Sequence, residues 1–273
     1  MYNFFHKKKE DYVNKYTIVL ALVTAAIFLA GVIVMIPHTK NAVKKLIGDI
    51  PTKLKLIVIL PDDCEDCFDI YQVTDFVKTV AGAKYTTTKE YKASDKNADL
   101  LIKAHGIKTL PTFVLQGNIK KLQLDQIFDP SNIGPMNDKS FVYVNKFPPY
   151  YDLEEQKIRG QFSLLFLTDN ACAKCYDVNT HSIALENLVM NPTSSSTVDV
   201  SSAEGYTLIS KYNIKYGPTI LLRGDLDAYQ NFKTLWESVG TIESDGTYIF
   251  REAGLDLMGI YKNLATWALM NTQ

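Results

Sequence analysis

Two C-x-x-C pairs lie at corresponding places in a repeated pattern, and this repeat constrains the fold more than any other feature of the sequence. The first pair lies in LIVILPDDCEDCFDI and the second in LLFLTDNACAKCYDV, which places Cys64 and Cys172 108 residues apart. Both segments share the pattern C-x-x-C-[FY]-D-[IV], and no cysteine of the chain falls outside the two pairs. A repeat of this kind predicts two units with the same fold.

Two further blocks repeat at an offset of 107 residues. HGIKTLPTFVLQGNI from His105 matches YNIKYGPTILLRGDL from Tyr212 at six of fifteen positions. SFVYV from Ser140 aligns with TYIFR from Thr247 at the same offset. The apolar, β-branched and aromatic residues of these blocks predict buried strands. We therefore predict domain 1 at residues 50–149 and domain 2 at residues 150–273, with the Pro148–Pro149 pair at their junction.

The predicted elements follow the same order in both units. An apolar strand at residues 54–60 or 162–167 leads to the cysteine pair and then to a helical segment. A second helical segment, a strand that opens with Pro-Thr and a last apolar strand follow. This order predicts an α/β fold in which each domain has a mixed sheet flanked by helices.

A long apolar run precedes both units. Residues 17–36 contain no charged side chain, and at about 1.5 Å per residue they would span about 30 Å of hydrocarbon. The apolar region of a cleaved signal peptide is shorter, about 7 to 15 residues. We therefore predict a transmembrane helix at residues 17–37, which inserts into the membrane through residues 17–36, between a tail at residues 1–16 and a tether at residues 38–49.

The lysines that flank this run set the predicted orientation. Four precede it and three follow closely, a slight excess that places the N-terminal tail in the cytoplasm. The chain is thus predicted to be a single-pass membrane protein with both domains on the extracytoplasmic side, where disulfides form and persist.

Several classes of function lack the residues they require. The formal net charge is −1 and charged residues make up 22% of the chain, so nucleic acid is not an expected partner. The sequence has no nucleophile–histidine–carboxylate motif, no phosphate-binding glycine loop and no H-E-x-x-H motif. Function is therefore expected to depend on the cysteines, without an organic cofactor or a bound metal.

The arrangement of strand, C-x-x-C and a later Ile-x-x-x-Pro-Thr resembles the thioredoxin-like superfamily. This last motif runs from Ile107 to Thr112 and from Ile214 to Thr219, and the resemblance covers nearly all of the chain after the predicted membrane helix. Two such units in one chain are similar to protein disulfide isomerases and protein disulfide oxidoreductases. The resemblance implies that Pro111 and Pro218 are cis and face the cysteine pairs.

The resemblance also implies the roles of the site residues. Cys64 and Cys172 would attack from helix N-termini, where the helix dipole favours the thiolate, and Cys67 and Cys175 would resolve the mixed disulfide. The backbone beside each cis-proline would form an edge that pairs with an extended substrate. The implied substrate-binding residues are Leu110, Pro111, Gly217 and Pro218.

Taken together, these features predict a membrane-anchored thiol–disulfide oxidoreductase that acts on protein thiols and disulfides outside the cytoplasm. The direction of electron flow stays open, because it depends on reduction potentials and on the partner that resets the sites. A membrane-embedded, quinone-linked oxidant is one candidate partner.

The chain departs from the family pattern around both cysteine pairs. Asp63 and Ala171 stand where the family has tryptophan before the first cysteine. Val58 and Phe166 stand where thioredoxin has a buried acid, six residues before that cysteine. These departures disfavour efficient reduction by a thioredoxin-type proton relay.

Three other interpretations use the same residues. A single zinc site would require pairs 108 residues apart to meet, whereas ribbon-type sites place their pairs within about 20 residues. A thioredoxin-fold copper chaperone would use one C-x-x-C and a distal histidine, but His105 and His181 are interpreted as surface or packing residues. A non-catalytic thioredoxin-fold binding module could use aromatic patches. Such residues are more often sheet core, as we expect for Phe141, Tyr143, Tyr248 and Phe250.

The charges around the two pairs differ in sign. Domain 1 has Asp62, Asp63, Glu65 and Asp66 beside Cys64, whereas domain 2 has Asp169 nearby and Lys174 between its cysteines. Negative charge disfavours a thiolate and positive charge favours it. We therefore predict that the Cys172–Cys175 pair is the more oxidising one.

Overall fold

The computed structural model describes residues 51–270. The tail, the transmembrane helix and the tether predicted at residues 1–16, 17–37 and 38–49 lie outside the described residues. Within residues 51–270, no helix combines the length and the apolar character needed to cross a membrane.

The first unit is built on a five-stranded mixed sheet in the order β2-β1-β4-β6-β5. Strand β1 runs parallel to β2 and antiparallel to β4, and β6 runs antiparallel to both β4 and β5. The five strands of this sheet are β1 Thr52–Leu60, β2 Ala83–Lys92, β4 Thr112–Gly117, β5 Ile133–Asn137 and β6 Ser140–Tyr143. The short strand β3, Thr109–Leu110, precedes β4 and lies outside this sheet. The helices of this unit are α1 Ile70–Val80 and α2 Lys96–His105.

A short hairpin completes the first unit. Strands β7 (Tyr150–Asp152) and β8 (Lys157–Arg159) pair with each other, and β7 also pairs with β3, where Leu110 faces Tyr151. The pairing of β7 with β3 links these residues to a strand of the first unit, although the sequence analysis assigned them to domain 2. The division at residues 149 and 150 stays a prediction.

The second unit repeats this architecture. Its five-stranded sheet has the order β10-β9-β12-β14-β13, in which β9 and β10 are parallel and the other pairs are antiparallel. The strands are β9 Phe162–Thr168, β10 Ser194–Asp199, β11 Tyr216–Gly217, β12 Thr219–Gly224, β13 Gly240–Ile242 and β14 Tyr248–Phe250. The helices are α3 Thr180–Asn187, α4 Ala203–Tyr212, α5 Phe232–Trp236 and α6 Glu252–Met258.

The second unit also ends in a hairpin. Strands β15 (Tyr261–Asn263) and β16 (Leu269–Met270) pair with each other, and β15 pairs with β11, where Gly217 faces Lys262. The duplication therefore includes the terminal hairpins as well as the main sheets. Two α/β units of mixed sheet and helices are consistent with thioredoxin-like folds.

Alternation in β1 explains how the first core forms. Lys53 and Lys55 are exposed, whereas Leu54, Leu56 and Val58 are buried on the opposite face, where they join the apolar side of α1. The four aromatic residues expected in the sheet cores, Phe141, Tyr143, Tyr248 and Phe250, are all buried, as predicted. The stacked rings of Phe113 and Tyr143, 5.0 Å apart, lie in the first core.

Candidate active sites

Each cysteine pair forms a disulfide in a turn that follows the first strand of its unit. Cys64 bonds Cys67 and Cys172 bonds Cys175, with Cα–Cα distances of 5.3 and 5.4 Å. In each turn the N–H of the second cysteine donates to the carbonyl of the first, at 3.4 Å in the first unit and 3.2 Å in the second. Each turn presents its disulfide at least partly to solvent, because none of the four cysteines is fully buried.

The helices begin after the cysteine turns, so the prediction that Cys64 and Cys172 lie at helix N-termini is wrong. Helix α1 starts at Ile70, and its N-cap is Asp69, whose Oδ1 accepts a hydrogen bond from the Tyr71 N–H at 3.0 Å. Helix α3 starts only at Thr180. The cysteines therefore lie outside the first helical turn, where the dipole effect is strongest.

The cis-proline prediction is confirmed, because the Leu110–Pro111 and Gly217–Pro218 bonds are both cis. Thr112, just after the first proline, pairs with Ile59 near the end of β1, and Thr219 pairs with Leu167 near the end of β9. Each proline thus lies next to the strand end from which the cysteine turn of its unit begins.

The threonine of each Pro-Thr motif has a structural role that the sequence analysis missed. The Thr112 and Thr219 side chains are fully buried, and their hydroxyls donate to the carbonyls of Tyr143 and Phe250. These bonds join the strand after the proline to the end of β6 or β14. A buried hydroxyl without such a partner would cost about 1 to 3 kcal/mol.

The edges that the resemblance assigned to substrate are covered by the chain itself. Leu110, Pro111, Gly217 and Pro218 are all buried. Strand β7 pairs with the backbone of Leu110, and β15 pairs with that of Gly217. One side of each short strand is therefore paired, whereas β3 and β11 are the end strands of their three-stranded sheets, so substrate pairing there stays a prediction.

In the first site, the cysteine turn packs on apolar residues on its buried side and carries acidic residues on its exposed side. The Phe68 N–H donates to the Pro149 carbonyl at 2.8 Å, and the Phe68 ring stacks on Phe147 with centroids 5.0 Å apart. The carboxylates at residues 62, 63, 65 and 66 are all exposed. Asp62 also accepts hydrogen bonds from the N–H and hydroxyl of Ser94.

The second site has a polar network where the first is apolar. The Tyr176 hydroxyl donates to the Pro218 carbonyl at 2.9 Å and lies 3.1 Å from Nε2 of His181. His181 is buried against the Phe250 ring, and this burial lowers its pKa to about 4. The imidazole is therefore neutral at pH 7 and packs inside the unit, as the sequence analysis interpreted it.

A buried ion pair lies beside the second cysteine turn. Nζ of Lys262 is 2.5 Å from Oδ2 of Asp169, and these side chains are only 9% and 1% exposed. Oδ2 has no hydrogen-bonding partner within residues 51–270, so Lys262 is what compensates its charge. The sequence analysis noted Asp169 but missed Lys262, because a lysine in a three-residue strand gives no signal of its partner.

Comparisons with known proteins give limited information. No protein-family model matches the chain, and no curated protein matches it. Among solved structures, the alkylhydroperoxide reductase protein AhpF from Enterococcus faecalis V583, as a C503A mutant, is similar with 14% identity and a TM-score of 0.23. The NTD_N/C domain of the same protein is similar with 14% identity and a TM-score of 0.22. Each match covers 69% of this chain and 90% of the other, and at these TM-scores the likeness supports no functional assignment.

Within residues 51–270, there is no group of three or more His, Cys, Asp or Glu side chains that could hold a metal ion. The copper-chaperone interpretation needs a histidine as a metal ligand. Nε2 of His181 is in contact with the Tyr176 hydroxyl.

Proposed function

We propose that this chain is a thiol–disulfide oxidoreductase that exchanges disulfides with protein substrates through both C-x-x-C sites. The observation that supports this most directly is that each pair closes a disulfide in a solvent-accessible turn beside a cis-proline. Exposure matters because an exchanging disulfide must be reached by a second thiol, and exposed disulfides are typically the labile or catalytic ones. The redox-active disulfides themselves serve as the cofactor.

In the reducing direction, the thiolate of Cys64 or Cys172 attacks one sulfur of a substrate disulfide. This forms a mixed disulfide and releases one substrate thiolate. The thiolate of Cys67 or Cys175 then attacks the bonded cysteine, closes the C-x-x-C disulfide and releases the second substrate thiolate. Two electrons pass to the substrate, and the reverse sequence oxidises a substrate dithiol.

Substrates would reach the sites from the exposed side of each cysteine turn, because the residues beside the prolines are buried. In the first unit, Asp63 and Glu65 flank Cys64 on that side, and in the second, Ala171 and Lys174 are exposed near Cys172. Contact with the turn alone is sufficient for exchange, because only one cysteine sulfur has to approach the substrate disulfide.

We also propose that residues 17–36 anchor the chain in a membrane and that both units act on its extracytoplasmic side. The uncharged run and its flanking lysines support this orientation. A membrane-embedded, quinone-linked oxidant would then reset the sites.

The function is tested with the full chain in detergent and a disulfide-linked fluorescent peptide as substrate. The Cys64→Ser plus Cys172→Ser variant is expected to lose exchange completely. The matched Cys67→Ser plus Cys175→Ser variant should instead accumulate a mixed disulfide with the peptide, which a nonreducing gel would detect. Full exchange by the first variant would overturn the proposal.

A further inference from the structure

The shared topology allows the two sites to be compared position by position. Asp169 follows β9 as Pro61 follows β1, and Lys262 faces Gly217 in the strand ladder as Tyr151 faces Leu110. The buried ion pair of the second site therefore has no charged counterpart in the first. The first site therefore serves as an internal reference for the second, because both sites lie in one chain and share one topology.

Short contacts connect this ion pair to the second cysteine turn. Oδ1 of Asp169 accepts a hydrogen bond from the Ala171 N–H at 3.1 Å, and its carbonyl accepts one from the Cys172 N–H at 3.0 Å. Lys262 approaches from β15, the strand that covers the Gly217 edge. The ion pair thus joins the turn that carries Cys172 to the strand beside the cis-proline.

The surroundings of Lys262 keep its ammonium close to this turn. The Trp267 ring lies 5.3 Å from Nζ, which partly shields the ammonium from solvent. Asp199 at the end of β10 also interacts with Lys262, and its Oδ2 accepts a hydrogen bond from the Asn170 N–H at 2.8 Å. In the first unit the corresponding residue at the end of β2 is Lys92, whose Nζ donates to the Pro61 carbonyl at 3.2 Å.

We propose that Lys262 is a positioning residue of the second site, which fixes the Cys172 turn through Asp169 and sets that site's redox preference by compensating the buried carboxylate. This inference rests on the proposed exchange function. Charges in a poorly solvated region interact more strongly than exposed ones. Removal of either partner would therefore change the net charge beside the cysteines by one unit.

The two single substitutions should act in opposite directions. Lys262→Met leaves the Asp169 carboxylate alone, which disfavours the Cys172 thiolate and stabilises the disulfide. Asp169→Asn removes one of the two carboxylates near the ammonium, and the added net positive charge favours the thiolate and stabilises the dithiol. A purely structural role would loosen the turn in both variants and would not reverse the sign.

The experiment equilibrates the full chain in detergent with glutathione buffers and quantifies each disulfide by alkylation and mass spectrometry. A background of Cys64→Ala plus Cys67→Ala isolates the second site. Relative to this background, Lys262→Met should shift the equilibrium about fivefold toward the disulfide, and Asp169→Asn about fivefold toward the dithiol. Fivefold corresponds to about 20 mV for a two-electron couple. Lys262→Arg should stay near the parent.

The controls separate this inference from the proposed function. Lys211→Met removes an exposed ion-paired lysine at the far end of α4 and should shift neither site. The first site, measured in a Cys172→Ala plus Cys175→Ala background, should be unchanged by Lys262→Met, and urea unfolding of each variant verifies that the second unit is folded. Shifts of the same sign in both variants, or no shift in either, would overturn the role of Lys262 while exchange by the parent still supported the function. Absence of exchange in the parent would remove the function itself.

Discussion

The guanidinium of Arg159 forms a two-point ion pair with Asp225. Nε lies 2.5 Å from Oδ2, and a second nitrogen lies 3.2 Å from Oδ1. The Arg159 side chain is 20% exposed and that of Asp225 is 31% exposed. Because Arg159 ends β8 of the first unit and Asp225 follows β12 of the second, this pair joins the two units.

We expect Arg159→Met to weaken the junction and lower the free energy of unfolding by about 1 kcal/mol, since partial exposure and screening limit an ion pair of this kind. The matched control is Lys108→Met, which removes an exposed ion pair with Glu154 in the hairpin loop and should have no measurable effect. Urea unfolding and protease cleavage near Gly160 measure the two variants. Equal stability of both would show that Arg159 contributes nothing to the junction.

The buried His181 predicts a specific dependence of stability on pH. Burial lowers its pKa from 6.5 in the unfolded chain to about 4, so between these values the unfolded state binds more protons. This contribution is fully present above pH 6.5, falls as the pH is lowered toward 4, and amounts to at most about 3 kcal/mol. In His181→Gln, the loss of unfolding free energy between pH 7 and pH 4 should be smaller by up to this amount. The same substitution at His105, which lies outside this aromatic cluster, should leave the native pH dependence in place.

Two glycines with left-handed backbone differ in the space around them. A Cβ on Gly160, where φ is +84°, would lie 2.2 Å from Cβ of Pro148, whereas at Gly246, where φ is +77°, no described atom lies within 4 Å. We expect Gly246→Ala to cost about 1 kcal/mol from backbone strain alone. Gly160→Ala should cost a further 1 to 3 kcal/mol, roughly, because it also overpacks the junction. Urea unfolding of both variants measures the difference, and equal losses would contradict the predicted clash.

The exposed carboxylates of the first site should act on Cys64 through solvent. Replacement of Asp63, Glu65 and Asp66 by their amides should lower the pKa of the Cys64 thiol, measured by pH-dependent alkylation of the reduced chain. Asp62 is kept because it bonds Ser94. At about 1 M salt the Debye length falls to about 3 Å, so the effect of the substitutions should shrink. An effect that is independent of salt would mean that the charges act through a buried path.

Local patterns predicted the features that depend on nearby residues. The repeat gave the two units, and the Pro-Thr motifs gave the cis bonds at Pro111 and Pro218. The aspartate that follows the first cysteine pair also carried a signal in the sequence. Asp69 caps α1, and an N-cap residue at that position predicts a helix that starts after the cysteines.

The missed features depend on contacts between distant parts of the chain. Strands β7, β15 and β16 have only two or three residues, too few to show the alternation that identifies a strand. The partners of β7 and β15, which are β3 and β11, are far away in sequence, and so is Asp169 from Lys262. The attachment of each hairpin to its unit, the paired side of β3 and β11 and the buried ion pair all depend on these contacts, so none of them could be predicted locally.

The position of the first hairpin decides where the chain can be divided for recombinant expression. A break after Pro149 would remove Tyr151 from Leu110 and leave the backbone of a buried strand without partners. Such an open edge is a template for pairing between chains, so a fragment that ends there should aggregate. A break between Arg159 and Gly160 leaves both three-stranded sheets whole, so fragments 51–159 and 160–270 should avoid this aggregation.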